Sequence, residues 1–322
     1  MTMSFSRILG QDTAVDVLRR ALRTGKLAHA YLFEGIEGCG KRTTALALVA
    51  AAFCSHGEGC GSCPSCRKMA SGQHPDLHSV GPDGAFIKID QIRDLQRELV
   101  LRPVEAPLKA CVIEEADRLN PAAANALLKT LEEPPGNALM ILLTSRLAGI
   151  LPTVRSRCQL LRFGELPERT IEDELLRRGT APAAARLAAS LAGGSLGRAL
   201  ELGEQGDTAG RGELLKRLAT LSLASITPLF EAAEELSADR ETAVGTLDEL
   251  TSLLRDVMLI QGGGGTGVVN RDLLPLLEQE AVRTTLEQSG ERIARIMEAR
   301  QALGRNANPR LTLDVLLMRL AR

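Results

Sequence analysis

Residues Ala30 to Phe53 read AYLFEGIEGCGKRTTALALVAAAF, a short apolar run, a glycine-rich loop and an apolar helix in direct succession. This is the layout of a phosphate-binding loop: Gly, four residues, Gly-Lys, then Ser or Thr, at the N-terminus of a helix. Gly35, Gly38 and Gly40 permit backbone angles and close approaches that side chains would block, so amides can ring an anion. Lys41 would reach the outer phosphates. A glycine-rich loop alone could be only a turn, but the strand before it and the helix after it point to the nucleotide fold. The match has one flaw. Arg42 stands where the magnesium-ligating hydroxyl belongs, and Thr43 brings that hydroxyl one residue late, turned by roughly 100° around the helix.

The flanking segments supply the rest of a sheet. DTAVDVLRRALRT (12–24) is a helix with Asp12 as its cap, Ala14, Val17, Leu18, Ala21 and Leu22 on one face, and Gly25 as its stop. IDQIRDLQRELV (89–100) is a second, with Asp90 as candidate cap and Ile92, Leu95 and Leu99 at helical spacing. KACVIEEAD (109–117) has the apolar run of a buried parallel strand and ends in acids. NPAAANALLKTLEE (120–133) starts with a capping Asn120 and Pro121 at the first helical position, and stops at Pro134-Pro135. ALMILLTS (138–145) is another buried strand. Strands alternating with helices in this way imply an α/β domain, a parallel sheet with helices on both faces. After about residue 165 strand signals fade. Short helices fill 166–203, GEQGDTAGRG (203–212) is a candidate linker, and amphipathic helices interrupted by GGGGTG (262–267) run onward.

A strand following the loop should end in Asp-Glu, the Asp holding magnesium and the Glu polarising the attacking water. Here the pair is Glu114 and Glu115, and Glu114 is one methylene too long for its post. Arg42 adds a fixed positive charge where a metal ion would dominate the local field. Both magnesium-holding positions are therefore altered together.

Cys54, Cys60, Cys63 and Cys66 form C-x5-C-x2-C-x2-C in a Gly/Ser-rich insert. Four thiolates so close together satisfy tetrahedral zinc, and an all-sulfur, closed set is structural rather than catalytic. An iron–sulfur cluster is the competitor, because C-x2-C-x2-C also occurs there. His56 and His74 could substitute as ligands, although four cysteines suffice. Cys39, Cys111 and Cys158 lie outside the cluster. HPD (74–76) reads as a structural turn.

The totals are ordinary: 322 residues, 44% apolar, 25% charged, net charge −1, so a stand-alone nucleic-acid binder with a strong basic excess is not expected. With no Trp, one Tyr and six Phe, the cores must be aliphatic. The first residues lack the layout of a signal peptide, and no run reaches the ~20 apolar residues of a membrane span, so a cytoplasmic protein without membrane contact is expected. Seven cysteines there read as metal ligands or inert thiols before disulfides.

FSRILGQDTAVDVLRRAL, KLAHAYLFEGIEGCGKRT, EEADRLNPAAANALLKTLEEPP and LPTVRSRC closely resemble, in order and spacing over residues 4–165, the bacterial clamp-loader subunits of the AAA+ ATPases. NANPRLTLDVLLMRL (306–320) resembles the end of that family's helical collar. The resemblance implies three parts: an AAA+ P-loop-type domain (1–165) carrying the cysteine insert (54–66), a small helical lid (166–207), and an all-α collar for oligomerisation (208–322). It also implies work on the sliding clamp of DNA polymerase III during DNA replication. The partners would be motor (gamma/tau) and delta subunits in a hetero-oligomeric ring, with the clamp and primer-template DNA met through the assembly.

The family's motors keep the loop Thr, the Asp-Glu pair and a lid motif Gly-Ser-x-Arg. This chain has Arg42, Glu114 and, in GSLGRAL, Gly197 at the Arg position with Arg198 one step aside. Gly35, Gly38, Gly40, Lys41, Thr43, Glu114 and Glu115 thus form a degenerate nucleotide site. The expectation is a non-motor subunit with weak or absent ATPase and ATP binding in question; the alternative within the family is an active gamma/tau-type motor. A P-loop enzyme unrelated to replication would leave the SRC motif and the collar-like end to chance. The resemblance further implies that Arg157 of Ser156-Arg157-Cys158 serves a neighbouring subunit's ATP site, with Arg155 close by as an accessory. It favours structural zinc in the insert, and it places Gly10, Gln11 and His29 where the family lines its pocket.

Overall fold

Strands buried on both faces need apolar runs without alternation. The computed structural model, which describes residues 3–205, 208–220, 227–237, 239–304 and 307–321, builds a five-stranded sheet from such runs. After α1 (Asp12–Arg23) come β1 (Ala30–Glu34), α2 (Lys41–Phe53), α3 (Pro64–Ala70), β2 (Leu77–Val80) and α4 (Ile89–Val100). Then follow β3 (Lys109–Ile113), α5 (Pro121–Glu132), β4 (Ala138–Thr144), α6 (Pro152–Arg155) and β5 (Gln159–Arg162). All strand pairs are parallel, in the order β2-β3-β4-β1-β5.

Successive strand residues face opposite sides of the sheet, and each side has its own core. Tyr31, Phe33, Val112, Ile141 and Leu143 pack with Leu18 of α1 and Leu48 and Phe53 of α2. Leu32, Ile113, Met140 and Leu142 pack with Ile92, Leu95 and Leu99 of α4 and with Leu127 and Leu131 of α5. The expected strands and long helices are therefore present. Two caps differ from expectation: Gln11 and Lys88 occupy the N-cap positions of α1 and α4. Asp12 and Asp90 lie inside the first turns, where a carboxylate still favours the helix dipole. Asn120 does cap α5, its Oδ1 accepting from the Ala123 amide at 2.7 Å. The short edge strands β2 and β5 and the helix α3, which begins at the end of the cysteine insert, carried no apolar signal of their own.

The chain divides into two compact units, Met1–Glu201 and Leu202–Arg322. Three helices follow the sheet in the chain: α7 (Glu168–Arg177), α8 (Pro182–Leu191) and α9 (Leu196–Gln205). The stretch expected as a linker, 203–212, is helical on both flanks, because α9 ends at Gln205 and α10 (Thr208–Thr220) begins at once; residues 206 and 207 lie outside the described residues.

The second unit is helical, with α11 (Thr227–Leu236), α12 (Arg240–Gln261), α13 (Leu274–Arg283), α14 (Leu286–Gly304) and α15 (Pro309–Leu320). Leu247, Leu250 and Leu254 of α12 form its core with Ile296, Leu303, Leu313 and Leu317. The break at 262–267 is closed by the buried Asp256 carboxylate, which accepts the amides of Val269 at 3.0 Å and Asn270 at 2.7 Å. Arg292 and Glu280 make a buried ion pair at 2.9 Å. No helix of the described residues is long and apolar enough to cross a membrane.

Candidate functional site

In an open parallel sheet, ligands gather at the carboxyl ends of the strands, and there the loops after β1 and β3 meet. The first loop has phosphate-loop geometry. Gly40 caps α2 in the left-handed region (φ 101°) and Gly38 is left-handed too (φ 72°). Gly35 is required by closeness, since a Cβ there would lie 2.4 Å from the Phe163 carbonyl oxygen. The functional groups around this loop are nevertheless turned on one another. Lys41 Nζ donates to the loop's own Gly35 and Ile36 carbonyls, both at 2.7 Å, and burial holds its pKa below the ordinary lysine value. Arg42 Nε donates to Glu114 Oε1 at 2.7 Å.

This contact ties the two sequence departures together. Arg42, at the expected hydroxyl position, and Glu114, at the expected aspartate position, form an ion pair with each other. Thr43 is exposed on α2, whereas Thr44, which sequence reasoning passed over, is buried and donates to the Gly40 carbonyl at 2.9 Å. Glu115 is the single non-glycine residue with positive φ (49°) among the described residues, and its carboxylate pairs with Arg118 at 2.9 Å.

The start of α9 reaches the same loop. The Gly197 amide donates to the Gly38 carbonyl at 3.2 Å. A Cβ on Gly38 would fall 2.2 Å from Ser195 Oγ, and one on Gly197 would fall 3.0 Å from the Gly38 Cα. Gly197 is thus more than a missing arginine: the contact it makes with the loop leaves little room for any side chain. Gln11 ties the loop to the segment after β5, donating to Cys39 O (3.2 Å) and Gly164 O (2.8 Å) and accepting the Gly164 amide (3.1 Å). His29 Nε2 lies 3.1 Å from the Leu131 carbonyl. Asp117, unmarked in the sequence reading, accepts Thr144 Oγ1 at 2.8 Å and Arg146 Nε at 3.1 Å.

Ser156, Arg157 and Cys158 link α6 to β5. Ser156 Oγ donates to the Thr153 carbonyl at 3.1 Å. One terminal nitrogen of Arg157 donates to Thr153 O at 2.9 Å and to Ser156 Oγ at 3.2 Å; the other meets Glu132 Oε1 at 2.6 Å. Burial pushes the Cys158 thiol up to about 12, which leaves it an inert packing group. Arg155 beside it is exposed.

The four cysteines of the insert come together as expected. Their sulfurs all lie within 4.8 Å of one another, with Cys54 and Cys63 4.0 Å apart. Tetrahedral zinc, with bonds of about 2.3 Å, separates its sulfurs by about 3.8 Å, so the set fits a metal; a disulfide needs about 2.05 Å. Amides already point at the sulfurs: His56 and Cys60 N–H to Cys54, Cys63 N–H to Cys60, and Cys66 N–H to Cys63, each at 3.4 Å. Hydrogen bonds from Ser62 and the Cys63 amide bring Cys60 down to about 5, while burial pushes Cys66 up to about 12. His56 and His74 stand outside this set.

His74 and Asp76 join the insert to the core. His74 stacks on Phe53 at 4.5 Å, and its Nε2 meets Ser65 Oγ of α3 at 3.0 Å. Asp76, fully buried, accepts the amides of Val104 (2.7 Å), Glu105 (2.9 Å) and Ala106 (2.8 Å). Burial alone would raise its pKa; the three amides outweigh it and hold the carboxyl below the ordinary value.

Comparison with known proteins gives one consistent result. Residues 10–167 match the family described as "DNA polymerase III, delta subunit", and residues 205–322 match "DNA polymerase III, delta subunit, C terminal". A Bacillus subtilis protein named DNA polymerase III subunit delta' is 34% identical over 316 residues, 96% of each chain. One of the same name from Pseudomonas aeruginosa is 40% identical over 136 residues, 41% of this chain and 42% of that one. The Mycobacterium tuberculosis DNA polymerase III subunit gamma/tau is 35% identical over 178 residues, 54% of this chain but 31% of its own length.

Proposed function

The chain belongs to the delta-prime family of DNA polymerase III subunits, and from that premise we propose that it is a clamp-loader stator with a spent nucleotide site of its own. The observation that carries this reading is the Arg42–Glu114 pair at 2.7 Å. It sets a guanidinium and a carboxylate against each other where magnesium would bridge the phosphates, and Lys41 and Gly197 compound the loss. Without the metal, the main group that neutralises charge developing on a transferred phosphoryl is lost.

What the chain contributes instead is Arg157, offered in trans to the ATP site of a neighbouring gamma/tau motor. A guanidinium there stabilises the transferring phosphoryl group, and such fingers are worth about 10³–10⁵ in rate. Residues 208–322 serve as the collar that joins the ring, residues 166–207 as the lid, and clamp and primer-template DNA are met through the assembly. Zinc on Cys54, Cys60, Cys63 and Cys66 is structural: four sulfurs close the coordination sphere and leave no open position for chemistry.

Phosphate release by the isolated chain tests the stator reading. The expected result is a rate no different from that of Lys41→Ala; brisk turnover abolished by Lys41→Ala would favour the gamma/tau-type motor. The extent of likeness also favours the stator, since the delta' relative matches 96% of this chain and the gamma/tau one 54%.

A further inference from the structure

Arg157 does not stand free in this chain. Both terminal nitrogens are committed, one to Thr153 O and Ser156 Oγ and the other to Glu132 Oε1 at 2.6 Å. Glu132 is the last residue of α5. A carboxylate in that position meets the negative end of the helix dipole and disfavours the helix, so α5 draws no stability from it. The group it does serve is the guanidinium.

We infer that Glu132 is the resting counter-ion of Arg157, a positioning residue that holds the finger on its own subunit until a neighbour's phosphates draw it away. The inference rests on the trans-finger reading of Arg157. The exchange makes and breaks no covalent bond: the guanidinium leaves a single carboxylate for a polyphosphate, which carries more negative charge and more acceptor oxygens. Glu132 cannot follow, because a carboxylate beside those phosphates is repelled. With side-chain exposures of 36% for Arg157 and 50% for Glu132, the pair is solvated and weak enough to exchange. Its removal should raise the available fraction of the finger by about two- to fivefold.

The test compares ATP hydrolysis at subsaturating ATP by reconstituted loader assemblies carrying the wild-type chain, Glu132→Gln, Glu132→Asp, Arg157→Ala, or Glu132→Gln with Arg157→Ala. Glu132→Gln is expected to raise kcat/KM about two- to fivefold, with Glu132→Asp, which keeps the charge on a shorter arm, in between. In the Arg157→Ala background the Glu132→Gln gain should vanish. A role confined to the end of α5 would give the same change with or without Arg157, and that result overturns the inference. So does a Glu132→Gln assembly indistinguishable from wild type while Arg157→Ala depresses the rate; in that case the finger reading stands. An Arg157→Ala assembly with undiminished hydrolysis would instead remove the finger reading itself.

Discussion

Replacing Arg42 with Thr puts a hydroxyl back at the last position of the phosphate loop and frees Glu114. The cost in stability is expected to be small. Two unit charges about 4 Å apart attract by about 1 kcal/mol in water and about 4 kcal/mol at an effective dielectric of 20. The Arg42 side chain is 61% exposed and Glu114 32%, which places the pair near the first limit. Ordering two long side chains reduces the gain further, leaving about 0.2–1 kcal/mol. A urea double-mutant cycle on Arg42→Ala and Glu114→Ala should therefore return a coupling within that range. Function should respond just as little. In Arg42→Thr combined with Glu114→Asp, Lys41 still bonds the Gly35 and Ile36 carbonyls and Gly197 still lies against Gly38. Magnesium-dependent binding of a fluorescent ATP analogue is the most this variant should gain, and phosphate release should stay at background. A coupling above about 2 kcal/mol would mean the pair is far less solvated than its exposure implies. Motor-like turnover by Arg42→Thr alone would refute the claim that the site is disabled in several places.

Three further outcomes follow from the same geometry. Elemental analysis should find zinc, and chelation or Cys60→Ala should loosen the insert around 54–70 in hydrogen exchange, because metal binding there contributes folding free energy; iron with sulfide absorption would contradict the assignment. Asp76→Asn should cost about 1–3 kcal/mol at neutral pH, since an amide cannot accept all three N–H groups. A carboxyl held below its ordinary value stabilises above its unfolded pKa and loses that contribution as pH falls through the folded value, so the gap between wild type and Asp76→Asn should stay flat down to about pH 5 and narrow below about pH 4; a gap absent at pH 7 would contradict the reading. Arg292→Met leaves Glu280 buried without its partner and should destabilise the helical unit by about 3–5 kcal/mol in urea melts, whereas a loss under 1 kcal/mol would show that the pair is not desolvated.

Much of the sheet was legible because β3 and β4 are apolar on both faces and β1 leads straight into the loop. β2 and β5 were not, since an edge strand buries only part of its surface and LHSV and QLLR carry no run that separates them from loop. In the sequence, the expected degenerate site consists of three separate substitutions. That two of them, Arg42 and Glu114, compensate one another is a relation between residues 72 apart in sequence, which only the fold brings to 2.7 Å. Likewise GSLGRAL was read only as lacking an expected arginine at 197, while the structure sets Gly197 against Gly38. The cysteine spacing announced its own cluster, because ligands so close in sequence need little tertiary structure to meet. Asp76 and Glu132 drew no attention as acids, since their partners are backbone amides and an arginine far along the chain.

The most direct test of the stator reading is ATP hydrolysis by a loader reconstituted from motor, delta and this chain, with wild type set beside Arg157→Ala. Hydrolysis should fall in the Arg157→Ala assembly while its elution on size exclusion stays unchanged, and Arg157→Lys, lacking the planar fork, should not restore it. An Arg157→Ala assembly that forms normally and hydrolyses ATP at the wild-type rate would contradict the reading outright.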